Sequence, residues 1–71
     1  MRSAERLDTF YSILKYYHKT FFMDFRFSQL IININAWYEA KTCRDIFYLE
    51  EDEFIKVLKE YIMEHYPTVK L

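Results

Sequence analysis

Not one of the 71 residues is glycine, and fifteen are aromatic: seven Phe, seven Tyr and one Trp. Glycine is the residue that takes up positive φ without steric penalty and lets backbone press closely against a phosphate. Its absence excludes the glycine-rich phosphate loops and the dinucleotide-binding fingerprint. It also disfavours tight two-residue hairpins, whose turns lean on Asn-Gly, Asp-Gly or Gly-X. What remains is a small, compact, mostly helical domain with an aromatic-heavy core.

A chain of this length forms one domain. So small a domain buries only about 60% of the surface its unfolded chain exposes, which leaves it marginal unless the core is rich. Aromatic side chains, each burying roughly 150–250 Å², are one remedy. Self-association, which removes further apolar surface from water, is another. With 52% hydrophobic residues and little interior to hold them, some aromatics must reach the surface, and a homodimer is expected. Ten basic and eleven acidic residues give a net charge of −1, far from the excess of a basic nucleic-acid binder. The single cysteine, Cys43, has no internal disulfide partner, which fits a reducing cytoplasm. No stretch approaches the 18 or so apolar residues of a spanning helix. The start, Met1-Arg2-Ser3-Ala4-Glu5-Arg6, lacks the apolar core of a secretion signal. The expectation is a soluble cytoplasmic protein without a membrane partner.

Three helical segments follow from periodicity. Leu7, Phe10, Tyr11, Leu14, Tyr17 and Phe21 recur at three- and four-residue spacing and predict a helix from about Ala4 to Lys19, with Ser3 as its N-cap. The apolar run at Phe21, Phe22, Met23 and Phe25 continues that helix or forms a buried connector, and Asp24 reads as the N-cap of the next element. A second helix spans about Phe25 to Glu39, with Phe27, Leu30, Ile31, Ile34 and Tyr38 on one face and Trp37 at its edge. Arg26, Gln29 and Asn33 form a polar stripe beside that face, whereas Asn35 points to the opposite side, toward solvent. Ala40 to Arg44 reads as a polar linker and Ile46–Leu49 as a short extended segment across the core. Glu50, Glu51, Asp52 and Glu53 open the third helix, where four carboxylates suit the positive end of its dipole. Its inward face is Phe54, Val57, Leu58, Tyr61, Ile62 and His65 or Tyr66, and Pro67 stops it. The fold class is all-α, a compact three-helix bundle over residues 1–71 with a short extended segment near 46–49.

Arg26-Phe27-Ser28-Gln29-Leu30-Ile31-Ile32-Asn33, followed by Asp45-Ile46-Phe47-Tyr48-Leu49-Glu50-Glu51-Asp52-Glu53-Phe54, resembles a set of small bacterial and prophage-borne proteins of unknown function. Their pattern often has glycine where this chain has Ser28, and the likeness covers about half of the chain. The resemblance implies a small helical fold and no particular activity. It also suggests that Arg26, Gln29 and Asn33 form a structural polar cluster that holds the Ile46–Tyr48 segment, Asn33 bonding its backbone and Arg26 pairing with Asp45 or the acidic helix start.

Catalysis has little support. His18, His65 and Cys43 show neither the spacing of a metal site nor the setting of an activated thiol, so no metal, cofactor or catalytic residue is assigned. The acids at Asp45 and Glu50–Glu53 match no calcium loop. The aromatics Tyr16, Tyr17, Phe21, Phe22 and Phe25 exceed what one helix stripe requires and are the candidate partner-binding surface. The leading expectation is therefore a noncatalytic protein–protein interaction module that pairs with itself or another protein. The alternative is a nucleic-acid-associated regulator using Lys15, Lys19, Arg26, Lys41 and Arg44 beside those aromatics.

Overall fold

The computed structural model describes residues 3–68. Met1 and Arg2, part of the stretch read against a secretion signal, lie outside them. Among the described residues the chain forms α1 (Glu5–Phe21), α2 (Phe27–Thr42), a single 3-10 turn (Ile46–Tyr48) and α3 (Glu51–His65), and no strand. The all-α three-helix bundle is thus the observed architecture. No helix among these residues is long and apolar enough to cross a membrane.

α3 is the common partner. It packs against both α1 and α2, whereas α1 and α2 touch each other little. Phe54, Ile55, Val57, Leu58, Tyr61 and Ile62 are all buried. At 100° per residue they cover an arc of roughly 160°, wider than the stripe of a helix with one neighbour. Ile55, which the sequence did not place inward, extends that arc on one flank. Leu58 and Ile62 meet Leu30 and Ile34 of α2 as the four fully buried side chains of the core. Arg6 bonds Glu51, Phe10 meets Phe54 edge-to-face and Phe21 packs against Tyr66. This near-constant offset sets α1 and α3 side by side and parallel, so α2 and the 3-10 turn form the return connection between them.

The helix ends show how a glycine-free chain manages its termini. At α1, Ser3 Oγ accepts from the Glu5 amide at 3.1 Å, although Ala4 holds the junction itself. Asp24 does not cap α2. That cap is Arg26, whose amide donates to Gln29 Oε1 at 2.8 Å. The helix then runs to Thr42, through most of the expected linker. It stops at Cys43, which has φ 58° and ψ 27° and donates its amide to Glu39 O at 2.8 Å. This left-handed position is where helices usually use glycine. At α3, Glu50 is the cap and Glu53 Oε1 accepts from its amide.

The segment at 46–49 is a 3-10 turn rather than an extended strand. Asp45 Oδ1 accepts from the Phe47 amide at 2.8 Å, and the Leu49 amide donates to Ile46 O at 3.0 Å. In a 3-10 turn residues i and i+3 eclipse one another. Ile46 and Leu49 accordingly both pack against the core. Phe47 and Tyr48, between them, stand outward.

Two predictions follow from these placements. Leu58→Ala deletes a fully buried side chain at the centre of the bundle and is expected to cost about 2–5 kcal/mol in urea denaturation; a loss below 1 kcal/mol, roughly a surface value, contradicts the assignment. Cys43→Gly relieves the left-handed backbone and is expected to raise stability on the order of 1 kcal/mol, with Cys43→Ala near neutral. A glycine variant no more stable than the alanine one contradicts the cap.

Candidate functional site

The five aromatics expected to form one outward patch divide between core and surface. Tyr17 and Phe22 are buried, and Phe21 is half-buried against them. The reason is geometric. Tyr17 and Phe21 lie on the same stripe of α1 as Leu14, one turn apart. Phe22, just past the helix end, turns back onto Tyr61 at a ring separation of 5.6 Å. Tyr16 faces the opposite side of α1 and is 61% exposed, and Phe25 is exposed beside Met23. Tyr11 and Phe27, assigned inward from spacing, are exposed as well. Tyr11 lies at the edge of the α1 stripe, and Phe27 begins α2 beyond the end of the core.

Tyr61 is the hub of the buried aromatics. Its ring meets Phe22 at 5.6 Å, Trp37 edge-on at 5.4 Å and His65 at 4.2 Å. One side chain of α3 thereby joins the end of α1 to the second half of α2. Burial pushes the Tyr61 phenol pKa upward, with the neighbouring Tyr66 phenol adding to the effect. Over the Trp37 indole, Lys41 Nζ sits 4.5 Å from the ring centre and pairs with Glu64. Lys41 holds the Glu64 carboxyl below the usual carboxylate range, and the Trp37 indole N–H adds to this from outside full hydrogen-bond geometry.

The polar cluster takes a different form from the one expected. Gln29 caps the start of α2, and Asp45 caps the 3-10 turn instead of pairing with Arg26. The amide that pins the turn to α2 is Asn35, whose Oδ1 accepts from Ile46 N–H at 3.2 Å. Asn33 is exposed and shares a shallow depression with Asp24, Phe25, Gln29 and Ile32. The exchange of Asn35 for Asn33 arises because the turn meets α2 on the side of Tyr38, one turn from Asn35.

The most exposed apolar side chains lie outside α1. Phe47 and Tyr48 are 80% and 82% exposed, with their rings in an edge-to-face pair at 5.0 Å. Met23 is 76% and Ile32 67% exposed. The sequence carried one usable signal for Phe47 and Tyr48: in a run of four apolar residues, a three-residue repeat can place only the first and last inward.

The nucleophile-type residues are engaged separately. His18 Nε2 donates to Phe25 O at 2.8 Å, His65 Nδ1 donates to Tyr61 O at 2.9 Å, and Cys43 is the exposed cap of α2. Among the described residues no three His, Cys, Asp or Glu side chains are grouped to hold a metal ion. Of the five cations considered for nucleic acid, Lys41 is taken up by Glu64 and Trp37. Lys15 and Lys19 are on α1, Arg26 precedes α2 and Arg44 follows it. No family model matches the chain, and neither a curated protein nor a solved structure shows detectable similarity to it.

The Tyr61 shift has a defined sign. A folded-state pKa above the usual value near 10 leaves stability intact below that pH and removes it as the pH rises through the folded pKa, because the unfolded chain loses its proton first. Tyr61→Phe is expected to flatten the fall in stability above pH ~10, read as the urea midpoint against pH. An unchanged alkaline slope contradicts the burial of this phenol.

Proposed function

We propose that the chain is a noncatalytic protein–protein interaction module, a small bacterial or phage accessory protein of the cytoplasm that binds another protein or a second copy of itself. The observation that carries this reading is the Phe47–Tyr48 pair. Two large aromatic side chains stand largely in solvent, on a turn fixed at both ends by Asn35, Asp45 and the half-buried Ile46 and Leu49. Mobile loops lose entropy when they bind. A turn braced in this way presents its aromatics already ordered, which lowers that cost. Aromatic side chains are frequent hot spots in such contacts. Tyr16, Phe25 and Met23 supply further apolar surface at the α1 end of the molecule. The engagement of His18 and His65 by backbone carbonyls supports a binding rather than a catalytic role. The exposed, unpaired Cys43 suits a reducing compartment.

The test is the double variant Phe47→Ser/Tyr48→Ser. Both side chains are exposed, so thermal stability is expected to change by less than about 0.5 kcal/mol. Capture of a protein partner from host extract is expected to fall at least ~10-fold relative to the unmodified chain. Equal capture by both proteins contradicts the reading.

A further inference from the structure

A groove of about 580 Å³ runs between α1 and α3 on the flank away from α2. Phe10 and Ile13 of α1 and Ile55 of α3 form its apolar walls. Its charges are ordered by sign. Glu50, Glu51 and Asp52 lie at one end, and Lys56 and Lys59 lie along the other. Glu51 is neutralised within the chain by Arg6. Asp52 accepts only a local amide, that of Glu53, and among the described residues Lys56 and Lys59 form no ion pair. Asp52 and Lys59 are seven residues apart, about two helical turns or 10.5 Å along the axis, and so share one stripe of α3.

A surface that is acidic at one end and basic at the other is complementary to its own reverse. We infer that this groove docks a second copy of the chain, with the two α3 helices antiparallel about a two-fold axis between Ile55 and Lys56. In that arrangement Asp52 faces Lys59 of the second copy and Lys59 faces Asp52 of the second copy, as a self-complementary interface requires. The half-buried Phe10 and Ile13 supply the apolar contact between these charge pairs, while Ile55 stays within its own core. A net charge of −1 leaves little overall repulsion between copies. The inference rests on the reading of the chain as an interaction module, but on a face separate from the Phe47–Tyr48 turn.

Charge exchange tests the register directly. In Asp52→Lys every contact across the axis becomes lysine against lysine; in Lys59→Asp every contact becomes aspartate against aspartate. By light scattering or sedimentation, the unmodified chain is expected to dimerise, and each variant alone to dimerise at least ~10-fold more weakly. An equimolar mixture of the two variants restores both opposite-charge pairs and is expected to recover the dimer as a heterodimer. Circular dichroism confirms that each variant retains its helices, since the substituted side chains are exposed. An unmodified chain that remains monomeric to ~1 mM, the weak end of specific affinities, overturns the inference. Single variants that dimerise as well as the parent, or a mixture that stays monomeric, overturn the antiparallel register. Phe47→Ser/Tyr48→Ser is expected to leave the dimer intact, which separates failure at this groove from failure at the aromatic turn.

Discussion

The rest of the structure depends on the two-sided burial of α3. Most short amphipathic helices have one apolar stripe and one principal neighbour. Here Phe54, Ile55, Val57, Leu58, Tyr61 and Ile62 are buried together, so one flank serves α1 and the other serves α2. With α1 and α2 making little direct contact, neither keeps its apolar face out of water unless α3 is folded. Tyr61 concentrates this dependence in one ring, touching Phe22, Trp37 and His65. The absence of glycine belongs to the same picture. The chain uses helices throughout, closes α2 on Cys43 in a conformation glycine normally fills, and turns into α3 through a 3-10 element braced by side-chain caps.

Much of the fold was legible in the sequence because periodicity reports burial when a helix packs along its whole length. Spacing alone gives the inward residues Phe54, Val57, Leu58, Tyr61 and Ile62 of α3 and the Leu30–Ile34 stripe of α2, but it also assigns His65 or Tyr66 inward, and both are exposed at the end of the helix. It misses Ile55, because a single-stripe reading does not anticipate a second neighbour. Phe27 and Tyr11 had the right phase and the wrong place. Phe27 begins its helix past the end of the core, and Tyr11 sits at the stripe's edge, so both are exposed.

The candidate surface was less legible, for reasons that lie in tertiary geometry. Tyr16 and Phe25 are exposed as expected from the surplus of aromatics, but Tyr17 and Phe22 belong to the core. A chain that leaves a helix at Phe22 can turn its next ring inward or outward, and nothing local decides which. Asn33 and Asn35 exchanged roles because the turn's path across α2 determines which amide it meets. The outward aromatics Phe47 and Tyr48 depended on whether 46–49 was extended or a 3-10 turn. Extended backbone alternates its side chains; a three-residue turn instead pairs Ile46 with Leu49 and releases the two residues between them.

Hydrogen exchange under native conditions is the most direct measure of whether α3 holds the bundle together. Amides from Val57 to Ile62 are expected to be the slowest in the chain, exchanging only through global unfolding with free energies equal to that from urea denaturation. Amides of α1 and α2 are expected to open at or below that value. A core of slowest exchange in α1 or α2, with α3 opening earlier, would contradict the account.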